Sequence, residues 1–436
     1  MAITDRYGLE VTTAFPRAAE HFQEGMDRLL SYRPGADESF AAALQADDRL
    51  AVAHAGAALV ASVVGDAATA RASTARARET VVGATRRERQ HVEAVSALIA
   101  GETTRGLALA DEHVAEFPRD ALLVNLAGSA IGLGGRPDRE QHRVAFIERL
   151  APAYVDDWWF ASALAFTYME VNRFEECRRL SERSLAQYPA NANASHNLAH
   201  VYFETAEHEA GAALLEAWLA SYDPRASFHC HLAWHLAMFE LHRGHPARAR
   251  AIFERDIRTA VNPRLAMIDG AALLWRFRLD GDDDPGAWRP LADLAARVSR
   301  PGFVFGEVHA ALIHAAGGDE AALARLIDGL RALDAKGHPV AGTVALPLAL
   351  GVAAFVAGDH AAALAHFEPV EGEIHRVGGS HAQWELFEET MLACYFALER
   401  YDDALRLLSR RLERRTSPRD LRWRDRAKAG LAARQA

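Results

Sequence analysis

Apolar residues recur along most of the chain at three- and four-residue spacing, the period of one buried face on an α-helix. The stretch starting at Trp158 carries Leu164, Ala165 and Tyr168 on such a stripe, and Phe174 and Cys177 open a second one. The stretch starting at Ala192 repeats the arrangement with Leu198, Ala199 and Tyr202. Alternating apolar runs are absent from the sequence and alanine is abundant, so helix is expected and extended strand is not. Breaks fall between paired stripes at Gly101, Asn172-Arg173, Ala206, Gly244, Gly281, Gly358-Asp359 and Glu399-Arg400. Each unit therefore reads as two amphipathic helices joined by a short turn, and several units close on a proline, as at Pro118, Pro189 and Pro224.

The units recur at a spacing of about 34 residues, which is the pattern of tetratricopeptide repeats. Small residues at the close-approach positions let two helices pack antiparallel, and each pair leaves an apolar edge for the next pair to bury. The predicted fold class is all-α, a tetratricopeptide-like superhelix of antiparallel helix pairs. Residues 1–50 are expected to form an N-terminal helical cap, with Phe22, Met26, Leu29 and Leu30 on one apolar face. Residues 51–415 hold the repeats, with an irregular connection around one helix between Arg136 and Asp157 and an acidic loop at Gly281 to Gly286. The basic, amphipathic segment 416–436 is suited to cover the last apolar edge as a capping helix.

Composition narrows the function classes. The chain has 436 residues with 49 Lys and Arg against 59 Asp and Glu, a formal charge of −10. That balance argues against nucleic acid and against a polybasic membrane surface as partners. Its 3 cysteines are widely separated, which points to a reducing compartment and gives no zinc knuckle. The N-terminus lacks the basic and apolar blocks of a secretory signal, and the apolar run Val344 to Ala357 is too short to span a bilayer and contains Pro347. A cytoplasmic protein is expected.

Histidine placement is the unusual feature. In SHNLAHVYFE, His196 and His200 stand four apart with Glu204 four further on; in FHCHLAWHLAMFE, His231 and His235 stand four apart. Residues four apart on a helix share a face. Both pairs fall on first helices of successive units, which line the concave surface of such arrays, and His91 takes the equivalent place of an earlier unit. His235 lies nearer the packed layer than His231.

Several segments together resemble the tetratricopeptide repeat protein 38 family: RRERQHVEAV from Arg86, HNLAHVYFE from His196, CHLAWHLAMFELHRG from Cys230 and IDGAALLWRFRLDG from Ile268. GEVHAALI around His309 and HRVGGSHAQWELF around Gly378 extend the likeness over nearly the whole chain. The resemblance implies an all-helical repeat fold and a set of motif residues: His54, His91, His196, His200, His231, His235, Asp269, Arg276, His309 and Gln383. It implies no particular reaction. The chain departs from the family where Trp384 follows Gln383 in place of an arginine. The spread of these motifs from His54 to Gln383 predicts an array closed around a central cavity.

Three chemistries fit the histidines. In a ligand pocket, His196, His200, His231 and His235 act as acid, base or anion-holding groups, Arg276 adds a fixed charge, Asp269 orients one ring and Trp234 forms an aromatic wall, with His54, His91, His309 and Gln383 as further contacts. In a metal site, the two i,i+4 pairs on facing helices hold zinc or a similar ion, with Asp269 or Glu204 as a carboxylate ligand or supporting partner. In the third case each ring only bonds across helices. No HExxH, GxGxxG, Walker loop or nucleophile elbow is present, and the sequence names no cofactor. The reading taken forward is a histidine-lined concave face that binds a small polar or anionic molecule, with acid/base catalysis. The alternatives are a non-enzymatic scaffold for a peptide or protein tail, and a metal-binding histidine site. Elsewhere, Gly378-Gly379-Ser380 reads as an anion-holding turn or a helix cap, and Arg410 to Arg415 as a solvated face.

Overall fold

The computed structural model describes residues 3–435. Among them there are 23 α-helices and a single isolated bridge, Thr4 to Glu10, in place of any strand. The protein is all-α, and consecutive helices pack mainly as antiparallel pairs. No helix among the described residues is long and apolar enough to cross a membrane.

The chain divides into two compact units. The first comprises Met1–Gly134, Asp138–Leu198 and Tyr222–Phe228. Its pairs are Pro16–Leu30 with Ala36–Ala46, Ala51–Val64 with Ala67–Thr80, Arg86–Ala100 with Thr103–Glu116, Ala121–Leu133 with Arg139–Glu148, and Trp158–Glu170 with Phe174–Gln187. The second comprises Gly135–Pro137, Ala199–Ser221 and His229–Ala436. It pairs Pro263–Leu279 with Pro285–Val298, Val304–Ala316 with Glu320–Ala335, Leu346–Val356 with His360–Phe367, and His381–Ala397 with Tyr401–Arg414. Helix His229–His242 packs between His208–Leu219 and Pro246–Ile252, and Pro418–Gln435 packs on Tyr401–Arg414.

The turns expected from sequence share one physical device. Gly101, Asn172, Ala206, Gly244, Gly281, Gly358 and Glu399 all have positive φ. At each, the following N–H reaches back to a carbonyl in the last helical turn, as in Glu102 to Ala97 at 3.0 Å, Arg173 to Tyr168 at 2.9 Å and Arg400 to Tyr395 at 2.8 Å. This left-handed cap satisfies carbonyls that the helix end leaves open. It also reverses the chain so that the second helix returns along the first. Close approach then needs a missing side chain: a Cβ on Gly211 would meet the Phe239 ring at 2.3 Å.

Residues 3–15 are not helical, in contrast to the helical reading of the first fifty residues. The Asp5 carboxylate accepts from the Tyr7 and Leu9 N–H groups at 2.9 and 3.0 Å, which folds a turn around Gly8. Tyr7 and Val11 are buried, and Pro16 starts the first helix. From there Phe22, Met26, Leu29 and Leu30 are buried on one face, as their spacing predicts.

Candidate functional site

Helix His229–His242 is buried along its whole length, so its histidines lie in the interior of the second unit. The rings of His231 and His235 stand 4.8 Å apart edge to face, and His235 meets His200 at 4.4 Å. His200 lies on helix Ala192–Glu204, where the four-residue spacing brings His196 to the same face one turn earlier. Ring nitrogens of His196, His200, His231 and His235 all lie within 4.8 Å of one another, and all four residues are buried. His196 is also flanked by Phe166 and Phe228, at 5.7 and 5.1 Å.

One ring is fixed by a carboxylate. His231 donates from Nδ1 to Asp269, 3.1 Å from Oδ1 and 3.0 Å from Oδ2. That bond places the proton on Nδ1 and leaves Nε2 as the basic nitrogen. Trp234 lies parallel to the His231 ring at 5.5 Å and meets His235 at 4.9 Å, so it walls the pair. Burial, the larger cause, pushes the His200 imidazole down to about 3, and the neighbouring His231 ring acts in the same direction. The neutral imidazole is therefore the stable form, with a lone pair to offer.

The other motif residues have separate partners. His309 donates from Nδ1 to the Phe305 carbonyl at 2.7 Å, and its buried Nε2 has no hydrogen-bond partner among the described residues. Burial lowers its pKa to about 4. Gln383 accepts from the Ser380 N–H at 3.1 Å, so Gly378-Gly379-Ser380 leads into a capped helix start. Arg276 gives Nη2 to the Ala382 carbonyl at 2.6 Å and pairs with Glu389 at 3.2 Å. His54 bonds the Asp48 carbonyl at 2.9 Å, near the start of its own helix.

His91 belongs to a polar centre in the first unit. Asp120 caps helix Ala121–Leu133 and receives Arg87 Nε at 2.9 Å, His91 Nδ1 at 3.0 Å and His113 Nε2 at 3.0 Å. Burial alone would raise the Asp120 pKa, but the Arg87 guanidinium and the two imidazoles hold it well below the usual carboxylate range. His113 and Asp120 carry no motif signal in the sequence. Only their pairing with His91 across folded helices reveals them.

A second group escaped sequence reasoning. Arg411 and Arg415 are 2 % and 4 % exposed, not solvated. Arg411 reaches Asp420 at 2.9 Å and Glu388 at 2.5 Å. Arg415 binds Glu385 through both terminal nitrogens, at 3.1 and 2.8 Å, and approaches Glu204 at 3.4 Å. Glu204 in turn contacts His381 Nδ1 at 3.3 Å. The signal in hindsight is the acid row Glu385, Glu388, Glu389, which follows helical spacing on an otherwise apolar helix.

No family model matches the chain. Among solved structures it is similar to the human IFIT1 dimer with m7Gppp-AAAA, at 13% identity over 83% of this chain and 90% of that one, with a TM-score of 0.44. The APC/C hetero-tetramer Cut9-Hcn1 matches at 13% identity over 86% and 76%, with a TM-score of 0.39. Yeast Tom70 matches at 12% identity over 96% of each chain, with a TM-score of 0.34.

Proposed function

We propose that this chain is a helical-repeat protein that holds a transition-metal ion of the zinc class on His196, His200, His231 and His235, related to the tetratricopeptide repeat protein 38 family by its motifs. The observation that carries the reading is the convergence of four buried ring nitrogens within 4.8 Å. A tetrahedral ion with metal–nitrogen bonds of about 2.0–2.1 Å needs its ligand nitrogens about 3.4 Å apart. Small ring movements close the difference. Imidazole suits zinc, cobalt, nickel and copper, whereas magnesium and calcium prefer oxygen.

The carboxylate behind His231 supports the same reading. An Asp on the far nitrogen of a metal-bound imidazole sets its tautomer and raises its basicity. An anion pocket is less well supported, because burial keeps His200 neutral and removes the positive charge an anion would need.

The test is metal content of untagged protein after exposure to Zn²⁺ and removal of loose ions. About one ion per chain is expected, and Co²⁺ in its place should give the visible absorption of a tetrahedral site. His231→Ala with His235→Ala should abolish both. Equal Zn²⁺ retention by the wild type and that double variant would sink the reading.

A further inference from the structure

We infer that residues 3–11 are a detachable strap seated on a peptide-binding face of the first unit. The same face takes a segment of like chemistry from outside the chain, one with a carboxylate two residues before an aromatic ring. None of the residues involved belongs to the histidine centre, so this proposal does not depend on metal binding.

The strap holds its own shape. The N–H groups of Asp5, Gly8 and Val11 donate to the carbonyls of Leu9, Asp5 and Ile3, each at 2.9 Å, and Gly8 turns the chain with φ of 75°. Thr4 and Glu10 bridge as an antiparallel pair. Side chains alternate along it: Asp5, Tyr7 and Val11 are buried, whereas Thr4, Gly8, Glu10 and Thr12 are exposed. One side of the strap therefore lies on the helices and the other faces solvent, which is how a bound peptide sits.

Three helices make its seat. On Pro16–Leu30, Gln23 accepts the Arg6 N–H at 2.6 Å and Asp27 pairs with the Arg6 guanidinium at 3.1 Å. On Arg86–Ala100, Arg87 faces the Asp5 carboxylate at 3.9 Å, and its buried Nη1 has no hydrogen-bond partner among the described residues. A guanidinium with a spare donor is an anchor for a carboxylate. At the start of Trp158–Glu170, Asp157 pairs with Arg6 at 3.1 Å, while Tyr154 and Trp159 meet the Tyr7 ring edge to face at 5.7 and 6.5 Å. The attachment is small. Tyr7 and Val11 are the apolar side chains it buries, and the Arg6 pairs are partly exposed and open to screening by salt. A segment with so few buried contacts opens at lower cost than the helices beneath it.

The probe is a fluorescein-labelled peptide of residues 3–13, read by anisotropy on the full chain. A variant with Asp5→Ala, Arg6→Ala and Tyr7→Ala weakens the strap and leaves its seat unchanged, so it should keep its helicity and bind the peptide with a Kd below about 100 μM. Wild type should bind at least about tenfold more weakly, because its tethered strap competes at an effective concentration on the order of millimolar. The peptide carrying Asp5→Asn and Tyr7→Ala should not bind either chain. Hydrogen exchange of the wild type supplies the second measurement: protection of the Asp5 and Val11 amides should be at least about tenfold lower than that of Val92 and Val95 on the helix beneath. Loss of helicity in the triple variant, no binding by it, equal binding by wild type, binding of the altered peptide, or equal protection of strap and helix each overturns the proposal.

Discussion

Asp269 accepts the Nδ1–H hydrogen bond of His231 on both of its carboxylate oxygens, inside a helix-lined interior where both residues are buried. The two come from different helices, so the bond sets the direction in which the opposite nitrogen of His231 points. An unsupported imidazole would rotate about its side-chain torsions and lose that direction.

Asp269→Asn tests this relationship. The amide preserves shape and still offers an oxygen to Nδ1, but it removes the negative charge and can turn its NH₂ toward the ring. Zn²⁺ affinity should fall by roughly 10- to 100-fold, with helicity and apo-protein stability nearly unchanged. Competition against a chelator of known affinity measures the effect. Unchanged affinity would mean that the carboxylate does not act on the metal.

Buried neutral histidines also set an acid limit on folding. His309 has a folded pKa near 4 and His208 likewise, both because burial disfavours the imidazolium. Their unfolded values lie near 6.5, so between about pH 6.5 and 4 the unfolded chain binds more protons than the folded one. Stability contributed by these groups is present above that window and lost as pH falls through it. For the fully enclosed His309 the loss amounts to up to about 3 kcal/mol; the less enclosed His208 contributes less. Urea unfolding of chelator-treated protein at pH 7.5 and 5 should show the drop. His309→Asn, which keeps a donor for the Phe305 carbonyl, should flatten the profile.

The helix turns allow a gain in stability. Ala206 and Glu399 sit at φ of 62° and 56°, where a side chain crowds the following carbonyl. Glycine there relieves the crowding at a smaller entropic cost in the unfolded chain. Ala206→Gly and Glu399→Gly should each stabilise by about 0.5–1 kcal/mol in denaturant unfolding. Asn172, also left-handed at 62°, should gain little, because asparagine tolerates this conformation.

These turns show what a sequence reveals. Helix stripes and their breaks are local, so Gly101, Asn172, Ala206 and Glu399 could be placed without knowing any partner segment. The spacing of His196 with His200 and of His231 with His235 was equally local, and it put each pair on one face. What the spacing could not supply was the partner across the fold. Asp120 draws His113 and Arg87 to His91 through tertiary packing, and the N-terminal segment folds around Asp5 and Gly8 instead of a helical turn. The run from Arg410 to Arg415 divides for the same reason: Arg410 is exposed, as a solvated face requires, whereas Arg411 and Arg415 are buried. A basic stretch is solvated unless an acidic row faces it, and Glu385, Glu388 and Glu389 come from another helix.

That acidic row makes Arg415 the sharpest test of the second unit's interior. Its guanidinium binds Glu385 through two nitrogens, approaches Glu204 and stacks over Phe203 with 4.0 Å to the ring centroid. Removing one partner of a buried pair costs more than the pair contributes, because the abandoned charge stays desolvated. Glu385 also has Arg414 at 2.8 Å, which softens the loss. Arg415→Met keeps the packing length and should destabilise by about 3 kcal/mol. Arg410 lies on the exposed side of the same helix, ion-paired among the described residues only with Glu371, and Arg410→Ala should change stability by no more than about 0.5 kcal/mol. Adding Glu385→Gln to Arg415→Met should recover part of the loss, since the stranded carboxylate is then neutral. Urea unfolding of the three variants decides the point: equal cost for Arg410→Ala and Arg415→Met would mean that the buried guanidinium holds nothing that water could not replace.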